Sequence, residues 1–314
     1  MTLGISLSPF TLNNSDNAVD AAVAFGREAV AAGLSSVWFG QLFGQDSIAV
    51  AGTVGRELPE LEVGTSVVPI GGRHPLVVAG QAQTAQAATH GRFTLGIGTG
   101  GRAAAESSFG ITFDRPIAYL REFLTGLQQL LETGTADLHG EILTAAPSFP
   151  TEVAGARPRV PVLVAAMGPQ AVRVTGELAD GTLPYLVGPQ VLSKHIVEPI
   201  NAAAERAGRP RPRIAAMVTA VVTSDVEAAR AQAEQSMAFY DEVPSYRRVI
   251  ELSGVRRAAE LAVLGDEETV AARVEEYFDA GATDVIVAST DLNGDADRLR
   301  TWRLLGELNS KPRA

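Results

Sequence analysis

Short apolar runs alternate with amphipathic, Ala-rich segments along almost the whole chain. Leu3–Leu7, Ser36–Phe39, Leu61–Val68 and the run from Arg92 to Ile97 each hold enough consecutive or alternating apolar residues for a buried strand. Between them, Asp16–Ala32, Asp46–Leu58 and Pro75–Ala88 repeat apolar positions at helical spacing. Gly33 stops the first of these helices, and Pro75 opens the third at a first-turn position that tolerates its missing N–H. Downstream the same alternation gives a helix over Pro116–Leu131, a strand over Val160–Ala166, a helix from Gln170 to Leu178 and a short strand over Asp180–Tyr185. A long helix over Pro189–Arg206, a strand over Ile214–Val222, and a helix capped by Ser224-Asp225 and running toward Tyr240 follow. A helix from Gly265 to Ala280, a strand over Thr283–Ala288 and a helix ending near Leu308 complete the series.

Two segments break the rhythm. Ala136–Phe149 has short apolar pieces around His139-Gly140-Glu141, which predicts a hairpin insertion at about 136–150. The stretch from about 238 to 263 holds Pro244 and reads as irregular helix, a candidate lid. Eight short apolar strands in one strand–helix series predict a single (β/α)8 TIM barrel over residues 1–314. No early strand carries Gly-x-Gly-x-x-Gly, so a dinucleotide-binding doubly wound sheet is not favoured.

In such a barrel, function sits at the C-terminal ends of the strands. There the chain places Gly40-Gln41, Ser66-Val67, Gly98-Thr99-Gly100-Gly101 and Met167-Gly168. Glycines allow backbone to approach a ligand closely. Four exits of small residues on one rim suit a large planar ligand over the barrel mouth.

Composition narrows the partners. A net charge of −10 without a basic stripe argues against nucleic acid. No cysteine is present, which removes thiolate nucleophiles and thiolate metal sites. The expectation is a cytoplasmic protein with no signal peptide, no membrane span and no metal site. His90, His139 and His195 are not spaced as ligands. No Ser-His-Asp pattern stands out.

The block Gly91–Gly100, preceded by Arg73-His74-Pro75 and Ala79-Gly80-Gln81, resembles the luciferase-like monooxygenase superfamily. Val162–Pro169 with Ala179-Asp180-Gly181, and Leu264-Gly265-Asp266 with Ala280–Asp284, resemble its later blocks. Detail favours the branch that uses the deazaflavin coenzyme F420 over the flavin mononucleotide (FMN) branch. The resemblance implies a homodimer that takes a small-molecule substrate. It implies a cis peptide at Ser66-Val67 against the deazaflavin ring, with Thr99 and Gly100 at the ring's pyrimidine side. It also implies Met167 and Gly168 near the cofactor phosphate, where N–H groups open a helix. Cofactor-binding candidates are therefore Gly40, Gln41, Ser66, Val67, Gly98, Thr99, Gly100, Met167 and Gly168.

One departure from the resemblance matters. Sugar-phosphate dehydrogenases of the deazaflavin branch carry an Asp-His pair after strand two and a Glu after Gly-Thr-Gly, where this chain has Gln41-Leu42 and Gly101. Gln41 can hydrogen-bond a ring or substrate but cannot act as a general acid or base. The remaining catalytic candidates are Gln41, His74 and Tyr185. His74 reads more readily as a helix cap, and Tyr185 as an aromatic wall or a hydroxyl donor. Ser6 and Ser8 are possible substrate contacts. Glu106, Tyr240, Tyr246, Arg247 and Arg248 each read as surface residues. The expected activity is hydride transfer between F420 and a small neutral substrate. The alternatives are an FMN-dependent two-component monooxygenase and a non-catalytic flavin-binding member.

Overall fold

The computed structural model describes residues 2–310. Eight parallel strands close into a barrel: β1 (Thr2–Leu7), β2 (Ser36–Phe39), β3 (Glu62–Thr65), β4 (Phe93–Gly98), β5 (Val162–Val164), β6 (Gly181–Thr182), β7 (Arg213–Val222) and β8 (Asp284–Ala288). Each pairs with the next, and β8 returns to β1 with Thr2 opposite Asp284 and Ser6 opposite Ala288. This is the (β/α)8 barrel that the strand–helix alternation predicts.

The lumen is filled by Trp38, Leu163, Leu183, Ala215, Met217, Ile286 and Ala288. Trp38 is the bulkiest of these, and its ring occupies space that a side chain at position 64 would need: a Cβ on Gly64 would lie 2.5 Å from the indole. Outside the strands, a larger apolar layer joins barrel and helices, with Phe93, Phe123 and Trp302 fully buried.

The N-terminal end of the barrel is locked by charge. Arg213, at the start of β7, sends Nε to Asp284 Oδ2 at 2.8 Å and Nη2 to Oδ1 at 3.0 Å. Its guanidinium also lies over the Trp38 ring and reaches Thr94 on β4. Thr2 and Thr283 donate to the same carboxylate. Burial alone would raise the Asp284 carboxyl, but these donors, Arg213 above all, hold it below its ordinary value. One arginine on β7 thus reaches β8, β2 and β4 across the barrel floor.

Differences from the sequence expectation have local causes. The run Leu61–Val68 is two pieces, β3 and Val68–Pro69, because the Ser66–Val67 peptide turns the chain between them. The helix expected over Pro189–Arg206 contains a π-helical turn at Leu192–Val197. The stretch near Pro244 is a regular helix, Pro244–Leu252, with the proline at its first turn, following the helix Val226–Glu242. A short strand, Val263–Gly265, then extends alongside the end of β7. Two helices were not anticipated: Pro9–Asn13, capped by the Ser8 side chain, and Arg102–Phe109 after β4. An antiparallel hairpin pairs Leu138–His139 with Thr144–Ala145. Its tip is held by Glu122, whose carboxylate accepts from the backbone N–H groups of Glu141, Ile142 and Leu143.

Candidate active site

The strand ends open into two adjoining chambers. The outer one, about 420 Å³, is walled by Gly40 and Gln41 after β2, Ser66 and Val67 after β3, and Thr99, Gly100 and Gly101 after β4. The inner one, about 170 Å³, reaches down into the lumen to Leu183 and Met217. Ser8, Pro9, Gly40, Ser66, Val67 and Tyr240 line both, so the Ser66-Val67 segment is a shared partition.

That partition is cis: the Ser66–Val67 peptide is a non-prolyl cis bond, as the resemblance implies. Ser66 Oγ lies 2.8 Å from Ser6 Oγ at the end of β1. Beneath, Gly98 leaves room for Val67, since a Cβ at 98 would fall 2.9 Å from Val67 Cγ2. Gly100 has φ 75°, a left-handed conformation suited to glycine, and turns the chain away from Pro69. Gly101 has open space where a Cβ would stand. The floor of the outer chamber is therefore mostly backbone.

Its rim is aromatic. Phe10, Phe43 and Phe239 are exposed at 67%, 69% and 71%, and Phe109 and Leu42 are exposed beside them. Phe43 and Phe109 stand 6.0 Å apart, centroid to centroid. Exposed rings gathered around one opening mark a surface for an apolar or flat ligand. Arg73 adds a cation to this rim, its Nε donating to Pro69 O.

The inner chamber has a different chemistry. Its polar side chains are the hydroxyls of Ser6, Ser8, Ser66, Tyr185, Tyr240, Tyr246 and Ser289; among the described residues no carboxylate, imidazole or cation lines it. Tyr185 Oη lies 2.9 Å from Thr219 Oγ1. The Tyr240 ring packs edge-on against Tyr185 at 5.4 Å and against Tyr246 at 4.8 Å. Burial pushes all three phenols above their ordinary values, so they stay protonated at neutral pH. Hydrogen bonds from Thr219 and Ser289 partly offset that rise at Tyr185. Ser289 itself has φ 53°, unusual for serine, at the exit of β8.

The sequence candidates divide accordingly. Gly40, Gln41, Ser66, Val67, Thr99 and Gly100 come together on the outer chamber. Gln41 Oε1 accepts from the N–H and hydroxyl of Ser47. Gly98 sits behind Val67 rather than on the wall. Met167 is buried beyond the Ala165 wall, and Gly168 caps the helix Pro169–Leu178; neither lines the two chambers. His74 caps the helix Pro75–Ala88, its Nδ1 accepting from Leu76 N and its Nε2 donating to Thr144 O, and faces a separate cleft. Glu106 is paired with Arg102 on the surface. Tyr240 and Tyr246, each read as surface residues, line the inner chamber instead. Thr219 and Ser289 were missed: one is hidden in an apolar strand, the other follows a strand end with no motif.

The resemblance implies a flat cofactor. A flat apolar ring fits the outer chamber, where three strand exits offer backbone and the rim offers aromatic faces. Gly101 has open space where a side chain would otherwise stand.

Known proteins are similar to this chain in sequence or in fold. In Mycobacterium tuberculosis, phthiodiolone/phenolphthiodiolone dimycocerosates ketoreductase is 33% identical over 183 residues, 54% of this chain and 46% of that one. A solved F420-dependent secondary alcohol dehydrogenase, in complex with an F420-acetone adduct, superposes with TM-score 0.79 at 17% identity, covering 98% of this chain and 97% of that one. The oxygenating constituent of 3,6-diketocamphane monooxygenase from Pseudomonas putida, in complex with FMN, superposes with TM-score 0.77 at 16% identity, covering 99% and 98%. At such identities the two structures speak for the fold. The sequence profile of the luciferase-like monooxygenases matches residues 1–284. The chain belongs to the luciferase-like monooxygenase family.

Proposed function

We propose that the protein is an oxidoreductase that transfers a hydride between coenzyme F420 and a small, uncharged carbonyl or alcohol substrate. The observation that carries this reading is the pairing of the two chambers: a flat, apolar outer one and a charge-free, hydroxyl-lined inner one, divided by Ser66-Val67. When bound, the deazaflavin supplies the two-electron chemistry. Gly40, Gln41, Thr99 and Gly100 would hold its ring, with Ser66 and Val67 behind it. The inner chamber would hold the substrate.

Burying a charged substrate there without a counter-charge would cost several kcal/mol, on the order given for unpaired buried ions. A ketone or alcohol needs only hydrogen bonds, which the hydroxyls supply. The similar ketoreductase and the secondary alcohol dehydrogenase are both named for that functional group, which supports the choice.

The test is F420 binding by fluorescence quenching, followed by turnover of neutral ketones with the reduced coenzyme. Micromolar binding and ketone reduction are expected. Binding weaker than about 1 mM, a ΔG of only about −4 kcal/mol, would overturn the reading. The second reading is an FMN-dependent monooxygenase, favoured by the aromatic rim, which would accept a flavin ring equally well. Oxygen consumption with reduced FMN and none of the F420 activity would establish it. The third reading, a non-catalytic flavin binder, predicts tight coenzyme binding with no turnover.

A further inference from the structure

A carbonyl or alcohol oxygen turned over in the inner chamber has to exchange a proton, and among the described residues the polar side chains that line that chamber are all hydroxyls. The hydroxyls are not equivalent. Ser6 and Ser66 are engaged with each other at 2.8 Å, and Ser8 caps a helix by accepting from Phe10 N. Tyr185 is held differently. It stands at the exit of β6, its backbone bridges Met217 of β7, and its Oη is 2.9 Å from Thr219 Oγ1. A second side chain, that of Ser289 at the exit of β8, favours the ionised form of the same phenol. The edge-on rings of Tyr240 and Tyr246, at 5.4 and 6.2 Å, fix the plane of Tyr185.

This geometry suits proton exchange. A phenolic oxygen can accept from two hydroxyls while its own proton points elsewhere. Once that proton leaves, both neighbours donate to the phenolate in a site where fixed donors are worth more than in water. The left-handed backbone at Ser289 is the kind of outlier that gathers at functional sites.

We propose that Tyr185 is the catalytic acid and base that exchanges a proton with the substrate oxygen, and that Thr219 and Ser289 are the positioning residues that hold its hydroxyl. This rests on the oxidoreductase reading above. In the reducing direction the carbonyl carbon would take a hydride, with both its electrons, which the reduced deazaflavin would supply when bound. The carbonyl π pair moves onto oxygen, which takes the Tyr185 proton. One C–H and one O–H bond form, the C=O double bond becomes single, the ketone is reduced and the deazaflavin oxidised. The phenolate regains its proton from water entering past Ser8. Alcohol oxidation is the reverse.

The experiment compares the full-length protein with Tyr185→Phe, Thr219→Val and Thr219→Ser. Three quantities are measured: the Kd for F420, the Kd of the unloaded protein for isobutyramide by calorimetry, and kcat and KM for neutral ketones in H2O and D2O. Isobutyramide carries a carbonyl oxygen but cannot be reduced. All variants should bind F420 within about twofold of the parent, because position 185 is outside the outer chamber. Tyr185→Phe should weaken isobutyramide by about fivefold, the loss of one hydrogen bond. It should lower kcat by about 100-fold or more and abolish the solvent isotope effect. Thr219→Val should lower kcat by about tenfold, and Thr219→Ser should restore it.

Parental kcat and parental isobutyramide affinity in Tyr185→Phe would overturn the proposal and leave the ring as a wall. Should Tyr185→Phe fail to fold, an unchanged kcat in Thr219→Val with intact F420 binding would overturn the positioning role. If the parent neither binds F420 nor reduces ketones, the oxidoreductase reading falls, and the proton-exchange assignment falls with it. The isobutyramide comparison then reports separately whether Tyr185 recognises a carbonyl oxygen.

Discussion

Ser6 Oγ and Ser66 Oγ meet at 2.8 Å, joining the exit of β1 to the cis segment that divides the two chambers. Two hydroxyls satisfy one another where a carboxylate would have introduced charge. Ser6→Ala leaves Ser66 to find another partner. It should cost about 1 kcal/mol of stability in urea unfolding, and should weaken F420 binding, which depends on where Ser66-Val67 stands. A variant with parental F420 affinity would show that the pair does not set the partition.

Gly98 and Val67 form a second packing relationship with a measurable consequence. Gly98→Ala would put a methyl 2.9 Å from Val67 Cγ2. Overpacking of that kind costs about 1–3 kcal/mol. Because Val67 faces the outer chamber, the strain should also push its side chain into ligand space and reduce cofactor affinity. Combining Gly98→Ala with Val67→Ala should recover most of both losses, a coupling that a double-mutant cycle reads directly. Additive losses would refute the contact.

At the barrel floor, Asp284 is held ionised by Arg213, Thr2 and Thr283. Its folded pKa is below its unfolded value, so the unfolded chain binds more protons as pH falls. Its contribution is complete above the unfolded value, near pH 4, and is lost as pH drops through the folded one. Asp284→Asn leaves Arg213 buried against a neutral partner. It should cost about 3 kcal/mol at neutral pH and flatten the stability curve below about pH 4. An unchanged acid slope would mean that other carboxylates dominate.

Among the described residues, the groups of the inner chamber that titrate are phenols, and burial raises all three. The affinity for a neutral carboxamide should therefore stay constant from about pH 6 to about pH 9. A titration step in that window, followed by calorimetry, would reveal an ionisable group acting on the chamber from outside its wall.

The aromatic rim should matter to ligand and not to fold. Phe239 and Phe109 are exposed and contribute little buried area. Phe239→Ser and Phe109→Ser should each leave unfolding within about 0.5 kcal/mol of the parent, yet weaken F420 binding several-fold. Equal affinity for parent and variants would assign the rim to some other surface.

Much of this site was legible in the chain because barrels put function at strand exits, and exits are marked by Gly, Ser and Thr. Gly40-Gln41, Ser66-Val67 and Thr99-Gly100 were found that way and do share one wall. Tyr240 and Tyr246 were not. Pro244 between them looks like a helix breaker, but it starts a new helix, and the resulting corner turns both rings inward. Thr219 sits inside the apolar run Ile214–Val222, where one hydroxyl does not disturb the strand pattern. Its meaning comes from Tyr185, 34 residues away. His74, which the sequence reads more readily as a cap than as a catalyst, has both ring nitrogens committed to capping and packing. The cis peptide at Ser66-Val67 was implied by resemblance alone, and the residues themselves predict one strand over Leu61–Val68, since apolar alternation runs straight through the point where the strand divides.

The brevity of β6 has a consequence for inheritance. The strand leaves the ladder after Thr182 and meets β7 again through the bridge from Tyr185 to Met217 and the Tyr185–Thr219 hydroxyl pair, with Leu186 turning the chain at φ 57°. Gain or loss of one residue between Leu183 and Gly188 would re-aim or remove the phenol while every barrel register stayed as it is. A change of loop length alone would thus put a different side chain in this place, and an alignment that slides a gap across this loop would pair residues that never occupy the same place.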